Sequence, residues 1–180
     1  ALRYVITDAR CARVFGASRV VLPVVRSLDR DRRYLLERMQ ALKLVRHVVQ
    51  RCPEYSPRAI VRAVVSLAAA SGDQLRRVCV ETIREWARLP GSLRQVTLCG
   101  GLVVLAEAAL DAECADLAPT LLLTLTHAST CPTTKHLAPP RSWLSRIISA
   151  LASSPSAAPI SFSDSDRRRW AFARAALVLL

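Results

Sequence analysis

Aromatic residues make up only 5% of this chain, and glycine occurs five times in 180 residues. So little glycine excludes a turn-rich β architecture and the glycine loops that cradle phosphates. The sequence also lacks GxSxG, GxxxxGK[ST], HExxH and the protein-kinase signature, so none of the chemistries those motifs carry can be placed. No CxxC pair exists. The six cysteines (Cys11, Cys52, Cys79, Cys99, Cys114, Cys131) are far apart and sit mostly in apolar text. They read as small buried hydrophobes in a reducing compartment. No apolar run approaches the ~20 residues needed to cross a bilayer. The longest candidates, Leu102–Leu110 and Leu117–Leu125, are broken by Glu, Pro or Thr. Residues Ala1–Ile6 lack the charged-then-apolar plan of a signal peptide. The expectation is a cytoplasmic protein with no transmembrane segment, no cofactor and no catalytic residues.

What is present is aliphatic. The hydrophobic fraction is 52%, supplied by Ala, Leu and Val, the composition of helix-on-helix packing. The length suffices for one sizeable core. The net charge is +12, carried almost wholly by arginine. Such a charge permits an acidic partner: nucleic acid, anionic lipid or an acidic protein face. The arginines are scattered along helices, with Arg167–Arg169 as the only block. They read as solvated helix faces, so no nucleic acid is expected. The alternative is an arginine-rich helical repeat that binds nucleic acid or anionic lipid.

The stretch Arg32–Gln50 organises the chain. It has no Gly or Pro, and at 100° per residue Leu35, Met39, Ala41, Leu42, Val45, Val48 and Val49 share one broad arc. An arc that wide calls for neighbours on several sides. Candidate neighbours flank it. A short helix from Asp8 to Phe15 is followed by Val20–Leu28. Ser56–Pro57 starts Arg58–Ala70, and Ser71–Gly72 ends it. Asp73 caps Gln74–Leu89, and Pro90–Gly91 breaks that helix. Ser92–Leu98, a corner at Gly100–Gly101 and a short Leu102–Leu110 helix come next. Ala112–Thr126 reads as helical with an early kink or late start at Pro119, Ser129–Pro140 as irregular, and Trp143–Leu151 as a further helix.

Long helices begin near Asp31, Asp73 and Ala112, and a fourth region near Ser154, giving units of about 42, 39 and 42 residues. This spacing is close to the ~40–47 residues of armadillo and HEAT repeats. It predicts an all-α, armadillo/HEAT-like right-handed superhelical solenoid of about four repeats. Residues 1–152 would form the repeats, 153–165 a Ser/Pro/Ala-rich linker, and 166–180 the start of a further helix. The chain opens in helical text without Met and closes inside the apolar run Leu177–Leu180, so it reads as a piece of a longer solenoid that would self-associate through its ends.

Few residues invite chemistry. Arg38 and Arg46 fall inside the apolar arc of the central helix. They are expected to snorkel to its edge, or Arg46 to reach Glu81 or Glu85 on the next repeat as an inter-repeat ion pair. Glu81 and Glu85 otherwise belong to an arginine-laced solvent face with Arg77, Arg84 and Arg88, without a pocket for acid/base work. His127, Cys131 and His136 fit no common zinc spacing, so no metal is expected. The Ser163–Asp166 loop reads as a helix N-cap cluster, or as a phosphorylation target.

Four ordered segments carry a family resemblance: Glu37–Val49 (ERMQALKLVRHVV), Ile60–Ala68 (IVRAVVSLA), Arg76–Ala87 (RRVCVETIREWA) and Cys99–Asp111 (CGGLVVLAEAALD). Together they resemble the N-terminal helical-repeat region of the Rictor family, the rapamycin-insensitive companion of TOR. The likeness is strongest over Leu2–Asp111 and returns in Asp166–Leu180. The resemblance implies a non-catalytic scaffold subunit of TOR complex 2. Its partners would be the TOR kinase and the other subunits, with peripheral membrane association through the complex.

Overall fold

In a computed structural model, the structure describes residues 8, 10, 11, 13, 14, 21–52, 55, 57–70, 74–114 and 116–134. The described residues form seven α-helices and two short 3-10 turns, with no strand among them. The helices are α1 (Val21–Leu28), α2 (Leu35–Arg51), α3 (Arg58–Ala70), α4 (Gln74–Ala87), α5 (Pro90–Leu98), α6 (Gly101–Ala109) and α7 (Ala118–Thr130). The chain divides into two compact units, Ala1–Val104 and Leu105–Leu180.

Within the first unit, helices pack on their neighbours and on their next-but-one neighbours. α1 touches α2 and α3, α3 touches α4 and α5, and α4 touches α2 and α5. Odd-numbered helices thus form one row (α1, α3, α5) and α2 and α4 another. α4 is the hub, and Leu75, Cys79, Val80, Ile83 and Trp86 fill its buried side. Each large aliphatic side chain buried in this way is worth about 1.5–3 kcal/mol. In the second unit, α7 buries Leu121, Leu122, Leu125 and Ala128. The Thr134 hydroxyl donates to the Ala128 carbonyl at 2.8 Å. It satisfies a last-turn carbonyl that the helix itself leaves without a donor.

The element boundaries show where local signals dominate. α3 runs from Arg58 to Ala70, with the Val61 amide donating to the Pro57 carbonyl at 3.0 Å. Asp8 accepts the Cys11 amide at 2.8 Å, as a helix cap does, and this hydrogen bond holds its carboxyl below the usual value. The central helix starts later than its apolar text suggests. Arg32–Tyr34 is a 3-10 turn closed by the Tyr34 amide on the Asp31 carbonyl at 2.9 Å, and α2 proper begins at Leu35. Its buried arc is correspondingly shifted. Leu35 is exposed and Leu36 is 78% exposed, whereas Arg38 and Leu44 join Ala41, Leu42, Val45, Val48 and Val49 inside.

Pro90 does not break a helix so much as open one. Leu89 is extended (φ −106°, ψ 128°), and Pro90 occupies the first turn of α5. There its missing N–H costs nothing and its fixed φ suits the helix. α5 and α6 then meet at an 88° bend. Gly100 makes that corner with φ of 80°, a left-handed backbone that disfavours any side chain. No single helix among the described residues is long and apolar enough to cross a membrane. Between α6 and α7, Ala112–Cys114 is a 3-10 turn and the helix starts only at Ala118, then runs to Thr130 rather than Thr126. Pro119 in the first turn accounts for the late start. The expected helices Trp143–Leu151 and Asp166–Leu180, and the linker between them, lie outside the described residues.

Candidate interaction surface

Helices α2 and α4 lie side by side, and their polar edges meet. Arg46 projects from the margin of the buried arc of α2, its side chain 40% exposed, and its Nη2 lies 2.7 Å from Glu81 Oε2 on α4. The other oxygen of Glu81 lies 3.6 Å from Arg77 Nε, one turn away on the same helix. Glu81 is therefore held between two guanidiniums, with its side chain 20% exposed. Glu85 turns elsewhere: Arg84 Nη2 lies 2.9 Å from it and Arg88 Nη1 3.6 Å. Of the residues singled out in the sequence, the structure brings Arg46 and Glu81 together and leaves Glu85 with its own helix.

Arg38 behaves differently from Arg46. It is 7% exposed, and its Nε is buried without a hydrogen-bond partner. Near the start of α2, the Ser27 hydroxyl donates to Glu37 at 2.8 Å, and Arg30 lies 3.5 Å from the same carboxylate oxygen. These contacts tie the α1–α2 turn. Arg30 and Arg33 also stack on Tyr34, 4.9 and 5.2 Å from the ring centre.

A double-mutant cycle across Arg46 and Glu81 is expected to give a coupling of about 0.5–1 kcal/mol, small because both groups reach solvent. Hydrogen exchange of the α2 and α4 amides measures it, and a net gain in protection from Arg46→Leu alone would contradict the pairing.

The opposite row has another character. A cleft of about 670 Å³ lies between α1 and α3. One wall is α3, with Arg58, Arg62 and Ser66 above Ala59 and Ala63; the other is Val25, with Asp29 just past the end of α1. Periodicity alone does not reveal this cleft. The only local signal is that Arg58 and Arg62 stand one turn apart on a helix that contains no acidic residue.

No group of three or more metal-ligating side chains converges among the described residues, and His136 lies outside them. Cys131 is half-buried, and the Thr133 hydroxyl 3.2 Å from its sulfur lowers the thiol's pKa.

The model of the N-terminal region of the rapamycin-insensitive companion of mTOR matches residues 1–180. The chain belongs to this family. Protein pianissimo A of Dictyostelium discoideum is 28% identical over 156 residues, covering 85% of this chain. The match occupies 13% of pianissimo A, so the chain spans a small part of that relative's length. No solved structure matches the chain. The Glu81-centred ion pairs and the α1–α3 cleft therefore lie in the N-terminal region of a Rictor-family protein. The four segments quoted above, Glu37–Val49 through Cys99–Asp111, span α2 to α6.

Proposed function

We propose that this chain is part of a non-catalytic scaffold subunit of TOR complex 2, which assembles the TOR kinase with its partner subunits and directs TOR signalling. The observation that carries this reading is the family match over residues 1–180. The mechanism is surface presentation: stacked helices hold binding faces in fixed positions, and the residues contribute packing rather than chemistry. The two-row packing of α1, α3 and α5 against α2 and α4 supports an armadillo/HEAT-like right-handed solenoid of about four repeats, since stacked helical units place next-but-one helices in contact. On this reading residues 1–152 are repeats, 153–165 a linker and 166–180 the start of a further helix. The protein is cytoplasmic and meets membranes only through the complex.

The α2–α4 contact supports taking Arg46–Glu81 as an ion pair between successive repeats. Its value lies in register more than in energy: a carboxylate clamped by Arg46 and Arg77 disfavours sliding of one helix along the other. Affinity purification of the full-length gene product tests the assembly reading. TOR kinase should come with it. A preparation free of kinase whose binding to nucleic acid or anionic vesicles falls steeply with salt would replace the scaffold by the anion-binding alternative.

A further inference from the structure

The acidic residues in the helices of the first unit are confined to one row. Glu37 lies on α2, and Glu81 and Glu85 on α4, whereas α1, α3 and α5 contain no Asp or Glu. The carboxylate-free row nevertheless carries Arg26, Arg58, Arg62 and Arg94, all exposed, and none of the four has an ion-pair partner among the described residues. On the other row, Arg46, Arg77, Arg84 and Arg88 each meet a glutamate. Lys43 and Arg51 of α2 are exposed as well, so the two rows differ in their acids: only the α2–α4 row holds glutamates that engage its arginines.

The available charge coincides with a concavity. Arg58 and Arg62 stand at the α1–α3 cleft one helical turn apart, which sets their side chains ~5–6 Å from each other at the Cβ atoms. Two guanidiniums at that separation match two carboxylates on successive turns of a partner helix, or alternate residues of an extended segment. Ala59 and Ala63 leave room for a partner backbone to approach, and Val25 offers an apolar contact. The volume, about 670 Å³, suits a segment of a few residues rather than a whole domain face.

We infer that this cleft binds an acidic polypeptide segment of a partner subunit, with carboxylates on Arg58 and Arg62 and a small or aliphatic side chain over Ala59. The inference rests on the scaffold reading only in taking the occupant to be a protein. The cleft itself favours that class. Asp29 in its lining accepts a backbone N–H or a cation, which a peptide offers and a phosphate backbone does not. Among the described residues, no aromatic side chain lines it on which bases would stack.

The test uses the full-length gene product and three probes: a short fluorescein-labelled peptide of glutamate and leucine, a single-stranded DNA oligonucleotide, and phosphatidylserine-containing vesicles. The peptide should bind best. The Arg58→Ala/Arg62→Ala variant should weaken it at least about tenfold, the loss of two charge-assisted contacts. Ala59→Trp, which keeps every charge but fills the cleft, should weaken it comparably. Arg51→Ala, which removes an exposed arginine from α2, should not. Unchanged peptide binding in either cleft variant would overturn the inference, as would an equal loss in Arg51→Ala or tighter binding of DNA or vesicles through the same residues. Peptide bound through the cleft by a protein that recovers no TOR kinase contradicts the assembly reading alone. Kinase recovered by a protein whose cleft ignores the peptide contradicts this inference alone.

Discussion

Replacing Trp86 with alanine is expected to cost about 3–5 kcal/mol, the largest single effect in the first unit. Trp86 is the largest fully buried side chain, 1% exposed, on the helix that touches α2, α3 and α5. Its removal empties the largest fully buried side-chain volume, which alanine leaves unfilled. In a protein larger than one domain the readout is local rather than a global melting curve. Hydrogen exchange of the α2–α5 amides should speed up by about two to three orders of magnitude if they open as one cooperative unit. Trp86→Phe provides the contrast. The indole Nε1 is buried with no acceptor among the described residues, so phenylalanine gives up no hydrogen bond and removes an unsatisfied donor. It should cost less than about half as much as alanine. Equal effects of the two variants would mean that the site depends on the indole N–H rather than on volume.

The second large effect is expected at the α5–α6 corner. A Cβ added at Gly101 would lie 2.6 Å from Val96 Cγ1, 3.1 Å from the Val96 carbonyl oxygen and 3.2 Å from Ile83 Cγ2. Val96 and Ile83 are both fully buried, and a β-branched valine has little freedom to turn aside. Gly101→Ala should therefore destabilise by about 1–3 kcal/mol through overpacking, although alanine is ordinarily the better helix former. The neighbouring Gly100→Ala meets nothing within 4 Å and suffers only from its φ of 80°, costing about 1–2 kcal/mol. The two glycines are thus separable by rescue. Val96→Ala should recover part of the loss in Gly101→Ala and none of that in Gly100→Ala, read from exchange protection of α5. Rescue of both, or of neither, would count against the close-approach account of Gly101.

How much of this was legible in the sequence depends on whether the deciding interaction was local. α3 could be placed to the residue because Pro57 and Ser71–Gly72 punctuate a run with no competing signal. Pro90 read only as a break, with the next segment starting at Ser92; proline also suits the first turn of a helix, and the extended Leu89 shows that α5 opens at Pro90. The buried arc of α2 was legible in its middle but not at its start. Leu35 and Leu36 have helical periodicity, yet the 3-10 turn before them places that end where they stay exposed. Arg38 lies inside because of register, a position that composition argues against. Glu81 and Glu85 are one turn apart on the same helix face, so periodicity cannot say which meets α2; packing separates them, giving Glu81 to Arg46 and Glu85 to Arg84 and Arg88. Of the α1–α3 cleft only the Arg58–Arg62 spacing was legible. The cleft needs two helices separated by the whole of α2 to come together, and no local pattern encodes that contact.

The rows of helices also recast the meaning of the charge. A net +12 on a helical protein is ambiguous while the arginines are only a count. Sorted by helix, Arg46, Arg77 and Arg84 are engaged with glutamates, Arg51 of α2 is exposed, and those of α1, α3 and α5 are exposed and unpaired among the described residues. The difference between the rows lies in the acids: α2 and α4 hold Glu37, Glu81 and Glu85, and α1, α3 and α5 hold none.

The central claim, that these helices belong to a scaffold that assembles a TOR kinase complex, is tested most directly by purifying the tagged full-length gene product under mild salt and identifying what accompanies it. The account predicts TOR kinase in near-equal amount, and a sharp loss of it when Trp86→Ala opens the first unit. A product that purifies intact without the kinase would contradict the account.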